Sequence, residues 1–408
     1  MRNKYRRVKL GCYLSNINGA LVCNMSALLF VTFRSMYGIS YSLLGMLVLI
    51  TFCTQLSIDL IFSFFSHKFD IPKTVKIMPI ITFVGIFIYA MSPIIFPNCI
   101  YAGLVIGTIL YSVSGGLGEV LLNPIIAAIP SENPDREMSK MHSVYAWGVA
   151  GAVVLSTLFL HIFKTENWQW LVIIFTIVPL LDAIVYWGAE FPDIKKAKSE
   201  ADTLSYLKKK GVWLLVFAIF FGGAAELTMS QWSSSYLERA LGIPKIFGDV
   251  FGTALFAVSL GLGRTLYARN GKNIGRVLFL GAIGATFCYL IAAIIPYTVI
   301  VLIACVFTGF CTSMMWPGTL IVASNKYPDG GVLIFAMMAV GGDLGASVAP
   351  QLVGVVTDIC IKNTAALNLA GRLGLTVEQL GMKAGILTGV LFSISAIFTY
   401  LAIKKADK

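Results

Sequence analysis

Charge is scarce in this sequence. Asp, Glu, Lys and Arg make up 12% of its 408 residues, against roughly 25% in a typical soluble chain. With 57% of residues hydrophobic, the composition excludes an ordinary water-soluble globule. Histidine is rarer still: His67, His142 and His161 lie far apart and give a metal cluster no support. The eight cysteines form no C-x-x-C pair and no regular spacing, so neither a zinc site nor a disulfide framework is expected. The segment "RNGKNIGR" (269–276) lacks the Gly-Lys-Ser/Thr of a phosphate-binding loop. Nothing resembles a nucleophile–base pair, and the polar stretches are too short for a sensor's output domain. The expectation is a non-enzyme with no catalytic residues, no cofactor and no metal.

What is present is apolar sequence in blocks of about 20–25 residues, the length that crosses a hydrocarbon core of roughly 30 Å. Twelve such spans are expected: 10–33, 41–66, 74–95, 99–128, 142–163, 169–190, 211–235, 247–268, 276–296, 298–323, 332–360 and 383–403. The fold class read from them is an all-α integral membrane protein. The first block is too long and too polar (Asn16, Asn18, Asn24) for a cleaved leader, and no small-residue cleavage site follows it.

The net charge of +11 raises the question of a nucleic-acid partner, and its distribution answers it. If both termini are cytoplasmic, all but seven of the 31 Lys and Arg fall on the inner side; the exceptions are Arg34, Lys164, Arg239, Lys245, Lys362, Arg372 and Lys383. That is the positive-inside pattern. Basicity orients the chain in the lipid bilayer, and no nucleic acid is needed to explain it. The location expected is a cell inner or plasma membrane, with a multi-pass chain and a monomer.

The one charge-rich interior stretch, "FPDIKKAKSEADTLSYLKKK" (191–210), divides the chain into a six-span half at 1–190 and another at 211–408. A weak repeat supports the division. "NPIIAAIPSENPD" (123–135) resembles "WPGTLIVASNKYPDG" (316–330), and Gly148 and Gly341 follow Pro124 and Pro317 at the same interval. Parallel six-helix repeats with a site between them are a transporter architecture.

Polar residues inside the spans fall into helical stripes. Ser112, Gly116, Glu119 and Asn123 share one face of the fourth span, and Thr51, Gln55 and Asp59 share one face of the second. The seventh carries Glu226 with Ser230, Ser233 and Ser234, while Trp232 and Tyr236 read as anchors at the membrane interface. In the eleventh, Asp343, Ser347 and Gln351 repeat every fourth residue among Gly341, Gly342, Gly345 and Pro350. These glycines suit close helix packing, since no strand precedes them as a dinucleotide site requires. Acids at bilayer depth are costly, about 2.5–3.5 kcal/mol on insertion scales, and mark ion or proton pathways by default. Glu119, Asp59, Glu226 and Asp343 are therefore the candidate proton-coupling residues. Aromatics near the stripes (Tyr145 and Trp147 in the fifth span, Trp316 in the tenth) could stack on a sugar.

Taken together, these residues resemble the major facilitator superfamily. The E-x-x-x-N-P of Glu119, Asn123 and Pro124 is similar to the fourth-helix motif of its fucose/glucose–proton symporter family. "HSVYAWG" (142–148), Gly263-Arg264, Trp316-Pro317 and the series Gly345, Pro350, Gly354, Asp358 also match. The resemblance implies two pseudo-symmetric six-helix halves, alternating access and sugar uptake driven by protons. Glu119 would then be protonated during transport, and Asn123 would line the cavity. His142 and Tyr145 occupy helix-five positions where the family has sugar-contacting amides. With Asn24, Gln55, Trp316 and Gln351, these three complete the candidate substrate-binding set. In helix one, some members use an aspartate where this chain has Ala27, with Asn24 nearby. A second reading within transport is a proton-coupled antiporter exporting amphipathic compounds or drugs.

Overall fold

The computed structural model describes residues 4–39, 41–194, 205–244 and 247–406. Linker residues 195–204, Lys245 and the side chains of Ala27 and Arg34 lie outside those described. All regular structure among the described residues is helical. This follows from the solvent: inside a bilayer each backbone N–H and C=O must be satisfied within the segment, and a helix does so.

The helices are α1 (Arg6–Tyr37), α2 (Tyr41–Phe65), α3 (Ile71–Ala90), α4 (Ile100–Ala128), α5 (Pro134–Phe163) and α6 (Thr165–Trp187). They continue with α7 (Lys210–Leu241), α8 (Leu255–Asn270), α9 (Ile274–Ile294), α10 (Thr298–Lys326), α11 (Gly331–Lys362) and α12 (Val377–Ala406). Among the described residues, 11 helices are long and apolar enough to cross a membrane. With α1 in front of them at 32 residues, they accord with the twelve expected. Their outer faces are as apolar as their inner ones: Ile184 is 71% exposed and Phe398 67%. Such faces are tolerated where lipid, not water, is the solvent.

Several helices are longer than their apolar runs. Helix α5 begins eight residues before the expected start at 142, because Asn133 caps it by accepting from Arg136 N and Pro134 occupies the first turn. Between α11 and α12 lies a short helix that was not expected, Thr364–Leu373. Asn363 caps its start, accepting from Ala365 N and Ala366 N, and Gly374 ends it in the left-handed region at φ 66.

The chain divides into two compact units, Met1–Ser205 with Tyr327–Ala339, and Tyr206–Lys326 with Val340–Lys408. The first turns of α11 thus group with the N-terminal unit. The core of that unit joins α1, α3, α4 and α6 around Phe33, Tyr89, Tyr111 and Trp168, all fully buried. Phe33 meets Trp168 edge-on at 4.8 Å. The Ser26 hydroxyl lies 3.1 Å from the hydroxyls of both Tyr89 and Tyr111, so the polar ends of the aromatics are satisfied inside the core.

The internal repeat is visible in the packing of each unit separately. In the first, a Cβ at Gly148 on α5 would fall 3.0 Å from the Ala20 Cβ on α1. In the second, a Cβ at Gly341 on α11 would fall 2.8 Å from the Val216 carbonyl on α7. Each glycine seats the first helix of its half against the fifth. The prolines are less alike. Helix α4 continues through Pro124, whereas α10 breaks into Thr298–Thr312 and Met315–Lys326 just before Pro317.

Candidate functional site

In the N-terminal unit the two expected stripes, on α2 and α4, face each other. Gln55 is buried and lies over Gly115 and Gly116: a Cβ at Gly115 would meet its Nε2 at 2.9 Å. One turn further along each helix, carboxylate oxygens of Asp59 and Glu119 come within 4.8 Å of one another. Asp59 is fully buried and Glu119 half-buried. Two carboxyl groups so close in a medium of low dielectric interact strongly.

Asn123 sits one turn beyond Glu119, and its amide is fixed. Its Nδ2 donates to the Glu119 carbonyl at 2.8 Å, and its Oδ1 lies 2.9 Å from His142 Nε2 on α5. Because Nδ2 is committed to that carbonyl, Oδ1 must accept, and His142 Nε2 is the donor. The two residues that the resemblance places against substrate are therefore first partners of each other. Tyr145, half-buried, lies over Gly19 of α1 at 3.8 Å from a Cβ built there. Asn24 is half-buried and donates to its own helix at the Ala20 carbonyl, 2.8 Å away.

In the C-terminal unit three separate sequence features prove to be one device. Pro317 has no N–H, which leaves the Ser313 carbonyl one turn earlier without its helical donor. Arg264 Nε supplies that donor at 2.9 Å. Arg264 Nη2 then binds both oxygens of Glu226, at 2.8 and 3.0 Å. Gly263 makes the approach possible, because a Cβ there would overlap the Ser313 side chain. Glu226 and Arg264 are 6% and 3% exposed, so the pair is an internal tie between α7, α8 and α10. The partner of Glu226 thus comes from α8, outside its own stripe.

Trp316 packs its ring against two glycines, Gly223 on α7 and Gly342 on α11. A Cβ at Gly223 would come within 2.9 Å of the ring, and one at Gly342 would overlap it. Gly342→Leu is expected to push the indole out of this seat and to destabilise the unit by about 1–3 kcal/mol, the usual cost of overpacking. Gly151→Ala, where a Cβ meets nothing within 4 Å, should stay within about 0.5 kcal/mol of the parent. Thermal unfolding in detergent compares the two.

Asp343 is buried at 4% exposure, and its carbonyl accepts from Ser347 Oγ at 2.6 Å, while Gln351 is exposed. Trp232 and Tyr236 both make bonds to neighbouring helices of the unit. Trp232 Nε1 donates to the Pro350 carbonyl at 2.9 Å, and Tyr236, fully buried, donates to the Ala292 carbonyl. Both find backbone acceptors on neighbouring helices, which satisfies their polar ends inside the unit.

One buried acid went unread in the sequence. Asp182, in "LLDAIVYW" of α6, is 0% exposed. It belongs to no polar stripe of its own helix; its partners, Ser15 and Asn18, come from α1, more than 160 positions away. The signal available was the bare one of an acid inside an apolar run.

Comparison with known proteins agrees with the fold. No curated protein matches the sequence. Among solved structures, the chain is similar to the E. coli fucose:proton symporter FucP, with 15% identity and TM-score 0.70, covering 98% of this chain and 99% of that one. It is also similar to the proton:xylose symporter XylE, with 13% identity, TM-score 0.77 and coverage of 99% and 96%. The human organic anion transporter MFSD10 follows at 14% identity and TM-score 0.69, covering 98% and 99%. At such identities these likenesses establish the fold. The sequence model of the Major Facilitator Superfamily matches residues 13–350, and on that match the chain belongs to this superfamily of membrane transporters and is not an enzyme.

Proposed function

We propose that the chain performs proton-coupled symport of a sugar or similar small polar solute by alternating access. The observation that carries the reading is the arrangement on α2, α4 and α5: an acid pair, Asp59 and Glu119, one turn from an amide fixed against an imidazole. A group that must take up and release a proton needs a site where its neutral form is favoured, and burial beside a second acid provides one. A hydroxyl-rich solute needs fixed donors and acceptors, and Asn123 with His142 offers them. Similar folds in FucP and XylE belong to proton symporters of fucose and xylose, which supports the substrate class.

In this reading Glu119, Asp59 and Asp343 are the coupling candidates. Glu226 leaves that set, because Arg264 already neutralises it. The substrate-binding candidates remain Asn123, His142, Tyr145, Trp316, Asn24, Gln55 and Gln351. In this reading the protein lies in the plasma membrane with both termini cytoplasmic, and the positive-inside distribution of Lys and Arg supports that orientation. The test is counterflow of labelled monosaccharides and polyols in proteoliposomes, repeated under an imposed pH gradient and an imposed sodium gradient. Exchange of a sugar, with accumulation under the pH gradient alone, is the expected result. Accumulation only with sodium would move the coupling to a metal cation. No sugar exchange across the panel, with proton-driven efflux of amphipathic compounds, would favour the antiporter.

A further inference from the structure

Asp182 lies apart from the residues of the proposed transport site, in the N-terminal unit where α6 packs on α1. Its Oδ2 accepts two bonds, from Ser15 Oγ at 2.7 Å and from Asn18 Nδ2 at 3.1 Å. Ser15 Oγ is also 3.2 Å from the Tyr186 hydroxyl, one turn along α6. The other two oxygens of this acid–amide pair, Asp182 Oδ1 and Asn18 Oδ1, are buried without a hydrogen-bond partner. Asp182 is 0% exposed and Asn18 5%. Among the described residues no Lys or Arg pairs with Asp182.

An ionised carboxylate can only accept, and so can an amide oxygen. As an anion, Asp182 would leave two buried acceptors facing no donor, together with a buried charge lacking a counter-ion; each is costly. The arrangement lacks one hydrogen and one positive charge. A single proton supplies both.

We propose that Asp182 is a proton-binding site, held as a neutral carboxylic acid that donates from Oδ1 to Asn18 Oδ1 and so closes a two-bond acid–amide pair between α6 and α1. The surrounding charges do not replace that proton. Cys12 and Tyr186, packed beside it, are uncharged at neutral pH by their ordinary acidities. Lys9 on α1 is engaged by Glu137. Arg7 lies against Gly188, six residues and roughly 9 Å of helix rise from Asp182. On α3, which also packs on α6, the ionisable side chains are Lys73, paired with Asp70, Lys76, and Tyr89, whose hydroxyl meets Ser26. The proton is structural: donor and acceptors sit in one unit, so it is retained while the site opens and closes.

The experiment is infrared spectroscopy of the full chain in lipid at neutral pH, with thermal unfolding beside it. Asp182→Asn should remove one protonated-carboxyl C=O band, because an amide supplies the same donor and acceptor without the acid. Its melting temperature should match the parent, whereas Asp182→Leu should fall by several degrees. Asn18→Leu, which keeps the acid but removes its acceptor, should shift that band to higher frequency; it decides the matter if Asp182→Asn does not fold. Loss of carboxylate bands in place of the acid band, as a solvated anion would give, overturns the proposal. So does an Asp182→Asn variant as unstable as Asp182→Leu.

Discussion

Glu119→Gln is expected to keep substrate exchange and to lose accumulation driven by a pH gradient, with the accumulation ratio falling to unity. Glutamine reproduces the shape and hydrogen bonding of the protonated acid but cannot release a proton. Facing water, an ionised Glu119 is tolerable; with the cavity closed, the neutral form is far cheaper to bury. Protonation would therefore favour the closed, loaded state, and release on the cytoplasmic side would reset the cycle. Counterflow and gradient-driven uptake measured in the same proteoliposomes separate the two activities. Full accumulation by Glu119→Gln would send the proton elsewhere, and Asp59, whose carboxylate oxygens lie within 4.8 Å, would be examined first, then Asp343. Loss of both activities with folding intact would make Glu119 a direct substrate contact.

The largest loss of stability is expected in the C-terminal unit. Glu226→Ala leaves the Arg264 guanidinium buried at 3% exposure without its counter-ion. Arg264→Ala strands the Glu226 carboxylate and the Ser313 carbonyl that Pro317 leaves unserved. Removing one partner of a buried ion pair costs about 3–5 kcal/mol, so each variant should unfold at markedly lower temperature or fail to accumulate in the membrane. The double variant Glu226→Met with Arg264→Met should be less damaged than the sum of the single ones, because no charge is left unpaired. Proton-driven uptake by a folded double variant would confirm that the coupling proton does not pass through Glu226. Its loss, with exchange retained, would return Glu226 to the coupling set.

Some of this protein was decided locally, by the order of residues alone. Twelve apolar runs long enough to span a bilayer, basic loops and a charge-rich centre require helices and order them, because lipid allows the backbone few other ways to be satisfied. The face shared by Glu119 and Asn123 follows from helical periodicity within one segment, and so does that shared by Gln55 and Asp59. So does the Gly148 and Gly341 repeat, whose equal spacing reappears as equal packing of α5 on α1 and of α11 on α7.

What the sequence left open are the pairings between segments. Glu226 and Asp59 look alike in the sequence, each an acid in a polar stripe. Only the tertiary structure gives one an arginine from α8 and the other an acid from α4. Asn123 and His142 were read separately as substrate residues, and only packing brings them together as hydrogen-bond partners. Asp182 was passed over because its hydrogen-bond partners, Ser15 and Asn18, come from α1. The physical reason is the same in each case. Helix periodicity is a property of residues three or four apart, whereas the charge state of a buried acid is set by whichever donors and charges packing brings within a few ångströms, and that distance is unrelated to separation along the chain.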